Sequence, residues 1–380
     1  MTARKKILLF ADWYEPGYKA GGPIRSCVNF VRQMHPDYRI YVFTSDRDLG
    51  SSLPYPEVKT DEWVAGKGDT EIYYSSPVHR SWQNIRRQID VIRPDFIYLN
   101  SMFSPKFTIY PLLINRLHQR HPVILSPRGM LRESAIRFKT GKKRLFLHGL
   151  RALGLHRAIH FHATDATELQ DIRRYFGNSS RVSMIANFPG APVEEQPATV
   201  KRAGDLSLIF IGRIHPIKNL HLLLGILTGV QTTLRLTVVG NLEDEAYWEK
   251  CKKIIAELPP HIRVEYVGEI ANNELAAIIV QHHIFALPTQ GENFGHAIFE
   301  ALALGKPVLI SDQTPWRNLQ PAGAGWDLPL DRPAAFREII ELTGGWGQEE
   351  YEKCCRSTRQ YLKDYLGSLN LKQEYNKLFS

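Results

Sequence analysis

The sequence predicts an α/β protein made of two doubly wound, mostly parallel sheets that follow one another along the chain. Three observations carry that expectation. Apolar runs of roughly 4–8 residues alternate with segments of helical period as far as Ala186, the pattern of buried parallel strands and their crossover helices. A stretch of prolines, glycine and acids, Asn187-Phe-Pro-Gly-Ala-Pro-Val-Glu-Glu-Gln-Pro, then interrupts it, as an extended linker does. The alternation restarts at Leu206 and continues to Leu328.

A chain of 380 residues is long enough for two such cores. Its 43% hydrophobic and 23% charged content is that of a soluble globular protein. No apolar run approaches the ~20 residues needed to span a bilayer. Lys5 and Lys6 precede only the short run Ile7–Ala11, ended by Asp12, which reads as a first strand and not as a secretory segment. Cys27, Cys251, Cys354 and Cys355 lack metal-ligand spacing and form no disulfide framework, so reduced structural cysteines in a cytoplasmic protein are expected. The net charge of +9 is uneven: 29 Lys/Arg against 16 Asp/Glu in residues 1–190, and 19 against 23 thereafter, which is +13 beside −4. A basic first half points to an anionic partner there. Nucleic acid, a membrane surface and a phosphorylated substrate all satisfy it.

In the first half, strands are expected at Lys6–Phe10, Arg39–Thr44, Glu71–Ser75, Phe96–Asn100, Val123–Ser126, Ala158–His162 and Val182–Ala186, with helices between them such as Ile24–Met34 and Trp82–Ile92. After the first strand, Gly21-Gly22 stands directly before a helix with Pro23 in its first turn. That arrangement admits an anion at the helix start, or is simply a loop punctuated by glycines. Arg25, on the same turn, faces phosphate or solvent. There is no G-x-G-x-x-G fingerprint and no Walker A loop. Ser126-Pro127-Arg128-Gly129-Met130 closes the fifth strand, and Arg128 either meets a ligand or caps the strand. From Arg137 to Arg157, basic and apolar residues interleave at near-helical spacing. Such a helix can lie on an anionic membrane or pack on the core with a solvated basic face. Nucleic acid is disfavoured, because no binding module or base-stacking aromatic pattern accompanies the charge.

In the second half, strands are expected at Leu206–Ile211, Leu234–Val239, Ile262–Val267, Ile284–Leu287, Pro307–Ile310 and Trp326–Leu328. The first ends in Gly212-Arg213-Ile-His215-Pro216-Ile-Lys218, two cations close behind a strand. The fourth leads through the polar loop that carries Glu292 into a helix over about residues 294–304, with Glu300 in its middle. Gly295 permits a tight turn where the helix begins, leaving N–H groups to face an oxygen or anion. His296 and Glu300, at i and i+4, share one face. Two glutamates eight residues apart are by themselves no more than surface carboxylates.

The loop, the small-residue helix and the Gly305-Lys306-Pro307 turn that follows together resemble the E-x7-E region of family-four retaining glycosyltransferases of the polysaccharide and lipopolysaccharide type. The resemblance implies the GT-B fold, two Rossmann-like domains facing a central cleft. Residues 191–360 would bind the donor. Residues 1–190 would form the acceptor side, with 361–380 as a last helix crossing back. It implies transfer of a sugar, with retention, from a UDP- or GDP-linked donor to a hydroxyl acceptor, a lipid-linked or growing surface glycan. Arg213 and Lys218 would bind the donor diphosphate and stabilise the departing charge, Gly21 and Gly22 would approach it, and Glu300 would hold the ribose diol. Glu292 would hold a donor-sugar hydroxyl, and the backbone N–H groups of Asn293, Phe294 and Gly295 would orient the sugar or its phosphate. The leaving-group oxygen would act as the base. The turn at Gly268-Glu269 resembles the base pocket. Where much of the family has a histidine, this chain has Ser-Pro-Arg-Gly-Met, as some bacterial polysaccharide glycosyltransferases do, which puts Arg128 and Arg25 on the acceptor side. No cofactor and no metal are implied, and no His/Cys cluster has ligand spacing. The expected setting is cytoplasmic, with peripheral contact to the anionic inner face of the membrane. A nucleotide-sugar epimerase or phosphorylase on the same scaffold, and a non-catalytic nucleotide-sugar-binding subunit, remain as alternatives.

Overall fold

The computed structural model describes residues 4–119, 121–136, 140–190, 199–272 and 274–380. It divides into two compact units, Met1–Pro189 with Asn370–Ser380, and Gly190–Leu369. Residues 191–198, most of the expected linker, lie outside the described residues.

The sheet of the first unit holds eight strands: β1 (Lys6–Phe10), β2 (Arg39–Ser45), β3 (Trp63–Ala65), β4 (Thr70–Ser75), β5 (Phe96–Leu99), β6 (Val123–Leu125), β7 (Ile159–Ala163) and β8 (Val182–Met184). Their order is β3-β4-β2-β1-β5-β6-β7-β8. Every neighbour pair is parallel except β3 on β4. Ile7, Leu8, Leu9 and Phe10 have no exposed surface, because crossover helices cover both faces of a parallel sheet and apolar runs become continuous. The antiparallel edge strand β3 has no counterpart in the sequence reading. Three residues are too few to show a period, and it is placed by Trp63, whose ring stands edge-on to Tyr41 at 5.4 Å and whose Nε1 donates to Gln88 Oε1 at 2.9 Å. The helix Trp82–Ile92 starts at Ser81, whose hydroxyl accepts from the Asn84 N–H, and stops at Arg93 in the left-handed region, just before Pro94.

The sheet of the second unit holds β9 (Asp205–Ile211), β10 (Thr233–Val239), β11 (Ile262–Gly268), β12 (Ile284–Leu287), β13 (Val308–Ser311) and β14 (Gly325–Leu328). Their order is β11-β10-β9-β12-β13-β14, parallel throughout. Each sheet therefore has one point where the strand order reverses, between β1 and β5 in the first and between β9 and β12 in the second. In open α/β sheets the crevice beyond the carboxyl ends at that point is where ligands sit.

Within the basic stretch, Thr140–Ala152 is helical and 137–139 lie outside the described residues. The helix packs on the core: Leu147 and Leu150 are buried in the first unit's core, while Leu145, and Leu153 just beyond the helix, are more than 70% exposed beside exposed Lys142, Arg144 and Arg151.

The C-terminal return begins later than residue 361. The helix Gln348–Gly367 belongs to the second unit, where Leu362 joins the core, Tyr365 packs on Trp316 at 4.8 Å and the Tyr361 hydroxyl donates to the Arg317 carbonyl at 2.9 Å. The segment from Asn370 belongs to the first unit. There Tyr375 stacks on Phe188 at 4.5 Å, and Phe379 lies among Phe30, Phe96 and Tyr98 at 5.5–5.6 Å. Phe379 is fully buried, so Phe379→Ala is expected to cost ~3–5 kcal/mol of first-unit stability. Urea unfolding followed by near-ultraviolet dichroism measures it, and an unchanged midpoint contradicts this packing.

Candidate functional site

The residues singled out from the sequence, Arg128 excepted, follow strands that flank the two reversal points. Arg213, Lys218, Glu292, Asn293, Phe294, Gly295 and Glu300 all lie in the second unit, behind β9 and β12. Gly21, Gly22, Arg25 and Arg128 lie in the first unit, behind β1 and β6.

In the second unit, the chain leaving β9 is pinned by the chain leaving β10. Gly212 N–H donates to the Val239 carbonyl at 2.9 Å, and Ile214 N–H to that of Asn241 at 2.9 Å. A Cβ on Gly240 would stand 2.0 Å from the Gly212 oxygen, so only glycine permits this approach. The His215 ring accepts from the Ile217 N–H and caps the short turn Pro216–Lys218; burial lowers its pKa. Lys218 folds back over Gly212 and pairs with Glu292. That pair crosses the reversal point, with its side chains only 15% and 12% exposed. Backbone ties run the same way: Gln290 N–H donates to the Ile217 carbonyl at 2.8 Å, and Thr289 Oγ1 donates to the same oxygen at 3.0 Å. Glu292 N–H donates to the Gln313 carbonyl at 3.0 Å. Arg213, more exposed, pairs with Glu243.

The turn into the helix His296–Ala303 is held from beneath. Trp316 Nε1 donates to the Phe294 carbonyl at 2.6 Å, and its ring meets that of Phe294 at 5.5 Å. Gly295 has φ 76°, and a Cβ there would meet Ile298 Cδ1 at 2.9 Å. The helix has no side-chain cap. Glu300 is partly exposed one turn in. Arg213, Lys218, Glu292 and the start of the helix His296–Ala303 thus all follow the adjacent strands β9 and β12, residue types able to hold a polyanion next to a polyol.

In the first unit, the loop after β1 is rigidly tied. Asp48 Oδ2 accepts the N–H groups of Tyr18 and Lys19 at 2.8 and 3.1 Å, and the Tyr74 hydroxyl donates to the Glu15 carbonyl at 2.7 Å. Gly21, at φ 64°, and Gly22 open the helix Gly22–Met34 with no side-chain cap, and Arg25 is partly exposed on its first turn. Contrary to a reading of the chain as lacking any Asp-x-Asp, Asp46-Arg47-Asp48 is one, and it is engaged in structure: Asp46 pairs with Arg47 and Arg80 at 2.8 and 2.9 Å, while Asp48 holds the loop.

Arg128 does not face outward. At φ 54° it turns into the unit, 9% exposed, where Nη2 donates to Tyr98 Oη at 2.9 Å and to Asn100 Oδ1 at 2.7 Å, and Nη1 to Asn187 Oδ1. Of the two sequence-level alternatives, the structural one describes it. The Tyr98 hydroxyl donates a hydrogen bond to His162 Nδ1 at 2.8 Å, and His162 Nε2–H donates to the Ile185 carbonyl at 2.9 Å. Burial first, and then Arg128, push the His162 pKa down to about 3. Sequence reasoning passed over Tyr98, Asn100, His162 and Asn187. The available signal was a polar residue within or just behind an apolar strand.

A fold of two parallel-sheet α/β units with these strand orders is that of the GT-B glycosyltransferases. Solved structures agree over nearly the whole chain. A sucrose-phosphate synthase from Thermosynechococcus elongatus aligns with TM-score 0.69 over 99% of both chains at 16% identity. Anabaena Alr3699/HepE, solved with UDP-glucose, aligns with TM-score 0.62 over 96% of this chain and 100% of its own at 14% identity. Residues 193–320 match the family of glycosyl transferases group 1, and the chain carries a domain of that family there. Among curated relatives, the D-rhamnosyltransferase WbpZ of Pseudomonas aeruginosa is 23% identical over 45% of this chain and 45% of its own. The O-antigen chain mannosyltransferase RfbU of Salmonella typhimurium is 22% identical over 53% of this chain and 56% of its own. The chain thus matches about half the length of these relatives.

His162 makes first-unit stability depend on pH. Its folded pKa lies below the ordinary ~6.5, so as pH falls the unfolded chain takes the proton first. The stabilisation is complete above about pH 6.5 and declines toward pH 3, by up to ~1.4 kcal/mol per pH unit from this group. Denaturant titrations at several pH values are expected to show a shallower slope in His162→Gln than in the unsubstituted protein.

Proposed function

We propose that the chain is a retaining glycosyltransferase that moves a sugar from a nucleoside-diphosphate sugar to a hydroxyl of a glycan or lipid-linked acceptor, with no cofactor beyond that donor. The observation that carries this reading is the Lys218–Glu292 pair spanning the β9/β12 reversal point, with Arg213 and the start of the helix His296–Ala303 behind the same two strands. Departure of a nucleoside diphosphate concentrates negative charge on phosphate oxygens. Fixed cations stabilise that charge where it develops, at ~3–4 kcal/mol for a single well-placed donor. We assign Arg213 and Lys218 to it. Glu300 would accept from the ribose hydroxyls and Glu292 from a hydroxyl of the transferred sugar. The N–H groups of Asn293, Phe294 and Gly295 would orient that sugar, and a leaving phosphate oxygen would take the acceptor's proton. Gly21-Gly22, which opens its helix with no side chain to crowd an anion, fits an approach to the diphosphate.

UDP-glucose in the HepE structure, and the O-antigen and rhamnose named for the two relatives, support a nucleotide-sugar donor and a surface-glycan acceptor. Among the described residues no helix is long and apolar enough to cross a membrane. Contact with an anionic membrane surface would fall to the helix Thr140–Ala152, through exposed Lys142, Arg144, Leu145 and Arg151.

Lys218→Ala and Glu300→Ala are each expected to lower transfer from a labelled donor by about tenfold or more, with the fold retained. Calorimetry with UDP and GDP, followed by product analysis with and without acceptor, separates transfer from epimerisation and from binding alone. Near-normal turnover in both variants removes these assignments.

A further inference from the structure

The second sheet ends in an edge unlike the others. β3, β8 and β14, the remaining end strands of the two sheets, are three, three and four residues long, whereas β11 runs for seven without a proline. Long open edges invite pairing with another chain, and short ones discourage it. Pairing of β11 with β10 is regular from Leu234 opposite Ile262 to Val238 opposite Tyr266, and only then slips. The Leu234 N–H donates to the His261 carbonyl at 3.0 Å. Main-chain groups alternate in direction along a strand, so those of His261, Arg263 and Glu265 point to β10, and those of Ile262, Val264 and Tyr266 point away from the sheet. The Ile262 N–H is taken by the Pro259 carbonyl at 2.9 Å. The Ile262 carbonyl and both groups of Val264 and Tyr266 have no hydrogen-bond partner among the described residues.

The side chains of this edge carry charge in a pattern that complements itself. Arg263 and Glu265 stand on one face of β11, both exposed, and Arg235 lies beside Arg263 in the register, exposed on the same face. None of the three has an ion-pair partner among the described residues. Two arginines side by side repel, and a carboxylate set against them relieves the repulsion. If a second β11 is laid antiparallel with the two-fold axis at Val264, that residue exchanges both its hydrogen bonds with its own copy, and the Tyr266 N–H meets the Ile262 carbonyl. Arg263 then stands opposite Glu265 of the second copy, and symmetry repeats the pair. These are the non-hydrogen-bonded positions, where opposing side chains come closest. Moving the axis to Arg263 sets that arginine against itself, and moving it to Glu265 sets glutamate against glutamate, both unfavourable. On the other face Val264 and Tyr266 are half-buried, and half-buried Trp248, its ring 4.8 Å from that of Tyr266, extends the apolar strip.

We propose that β11 is a self-association edge, which joins two copies of this chain antiparallel about Val264 into one continuous sheet. This contact is independent of the transferase reading and needs no ligand. One strand with a flanking helix buries less than the ~1,600 Å² of a standard interface, so the dimer is expected to form at about 10–100 µM protein and not at nanomolar concentration.

Sedimentation velocity of the full chain across that concentration range is expected to show monomer giving way to dimer. Arg263→Glu and Glu265→Arg, each at an exposed position, are expected to weaken association about tenfold or more, because both symmetry-related pairs become like-charged. Mixed in equal amounts, the two variants restore every opposite pairing, so dimer should return in the mixture alone. Val264→Pro removes an outward N–H that β10 does not use, and is expected to be monomeric with its thermal midpoint little changed. If it does not fold, the charge variants and their mixture carry the test. An unsubstituted chain that stays monomeric throughout overturns the proposal. So does a dimer that survives either charge reversal or a folded Val264→Pro, and so does a mixture that associates no more than its components.

Discussion

Lys218 and Glu292 hold each other across the one place where the second sheet reverses its strand order, and the candidate site is arranged about that contact. A nearly buried ion pair contributes little net stability, since desolvation of both charges offsets most of their attraction. The 289–292 loop does not need the pair for its position, because Gln290, Thr289 and Glu292 are tied by main-chain and hydroxyl bonds to Ile217 and Gln313. The backbone is thus preset, while the charges stay exchangeable. On the proposed reading, an anion that draws Lys218 away also releases Glu292 to accept hydroxyl protons, so one arrival prepares for the other.

The first unit solves a different electrostatic problem. Its buried guanidinium, Arg128, is met by neutral oxygens of Tyr98, Asn100 and Asn187 instead of a carboxylate. The nearby fully buried Glu168 spends its oxygens on the N–H groups of Gly129 and Thr164 at 2.5 and 2.8 Å. Dispersed hydrogen bonds satisfy the donors of a fixed fork without the desolvation cost of a second partner charge. The result ties the ends of β5, β6 and β7 to the segment after β8. Those are the strand ends that must stay in register if the crevice between β1 and β5 is to keep its shape.

Local periodicity made most strands and the helix Trp82–Ile92 readable to within a residue or two, because buried parallel strands and amphipathic helices write their environment into neighbouring positions. The cations behind β9 and the glutamates flanking the next reversal were readable as spaced motifs. What escaped was set by partners far off in sequence. Trp63 forms an edge strand through Tyr41 and Gln88, Arg128 turns inward toward residues 28–59 positions away, and the place where the chain changes unit depends on whether Tyr365 or Tyr375 finds an aromatic neighbour in one core or the other. No window of a dozen residues contains that information.

Because the first unit is completed by Asn370–Ser380, the second unit is an insertion within it in chain order. During synthesis the contiguous Gly190–Leu369 body can close its core while the earlier-made body still lacks Tyr375 and Phe379 against Phe188, Phe30 and Phe96. The usual vectorial order, N-terminal domain first, is therefore inverted at its last step. Until Asn370–Ser380 is made and seated, an aromatic recess on the older body stays open to solvent.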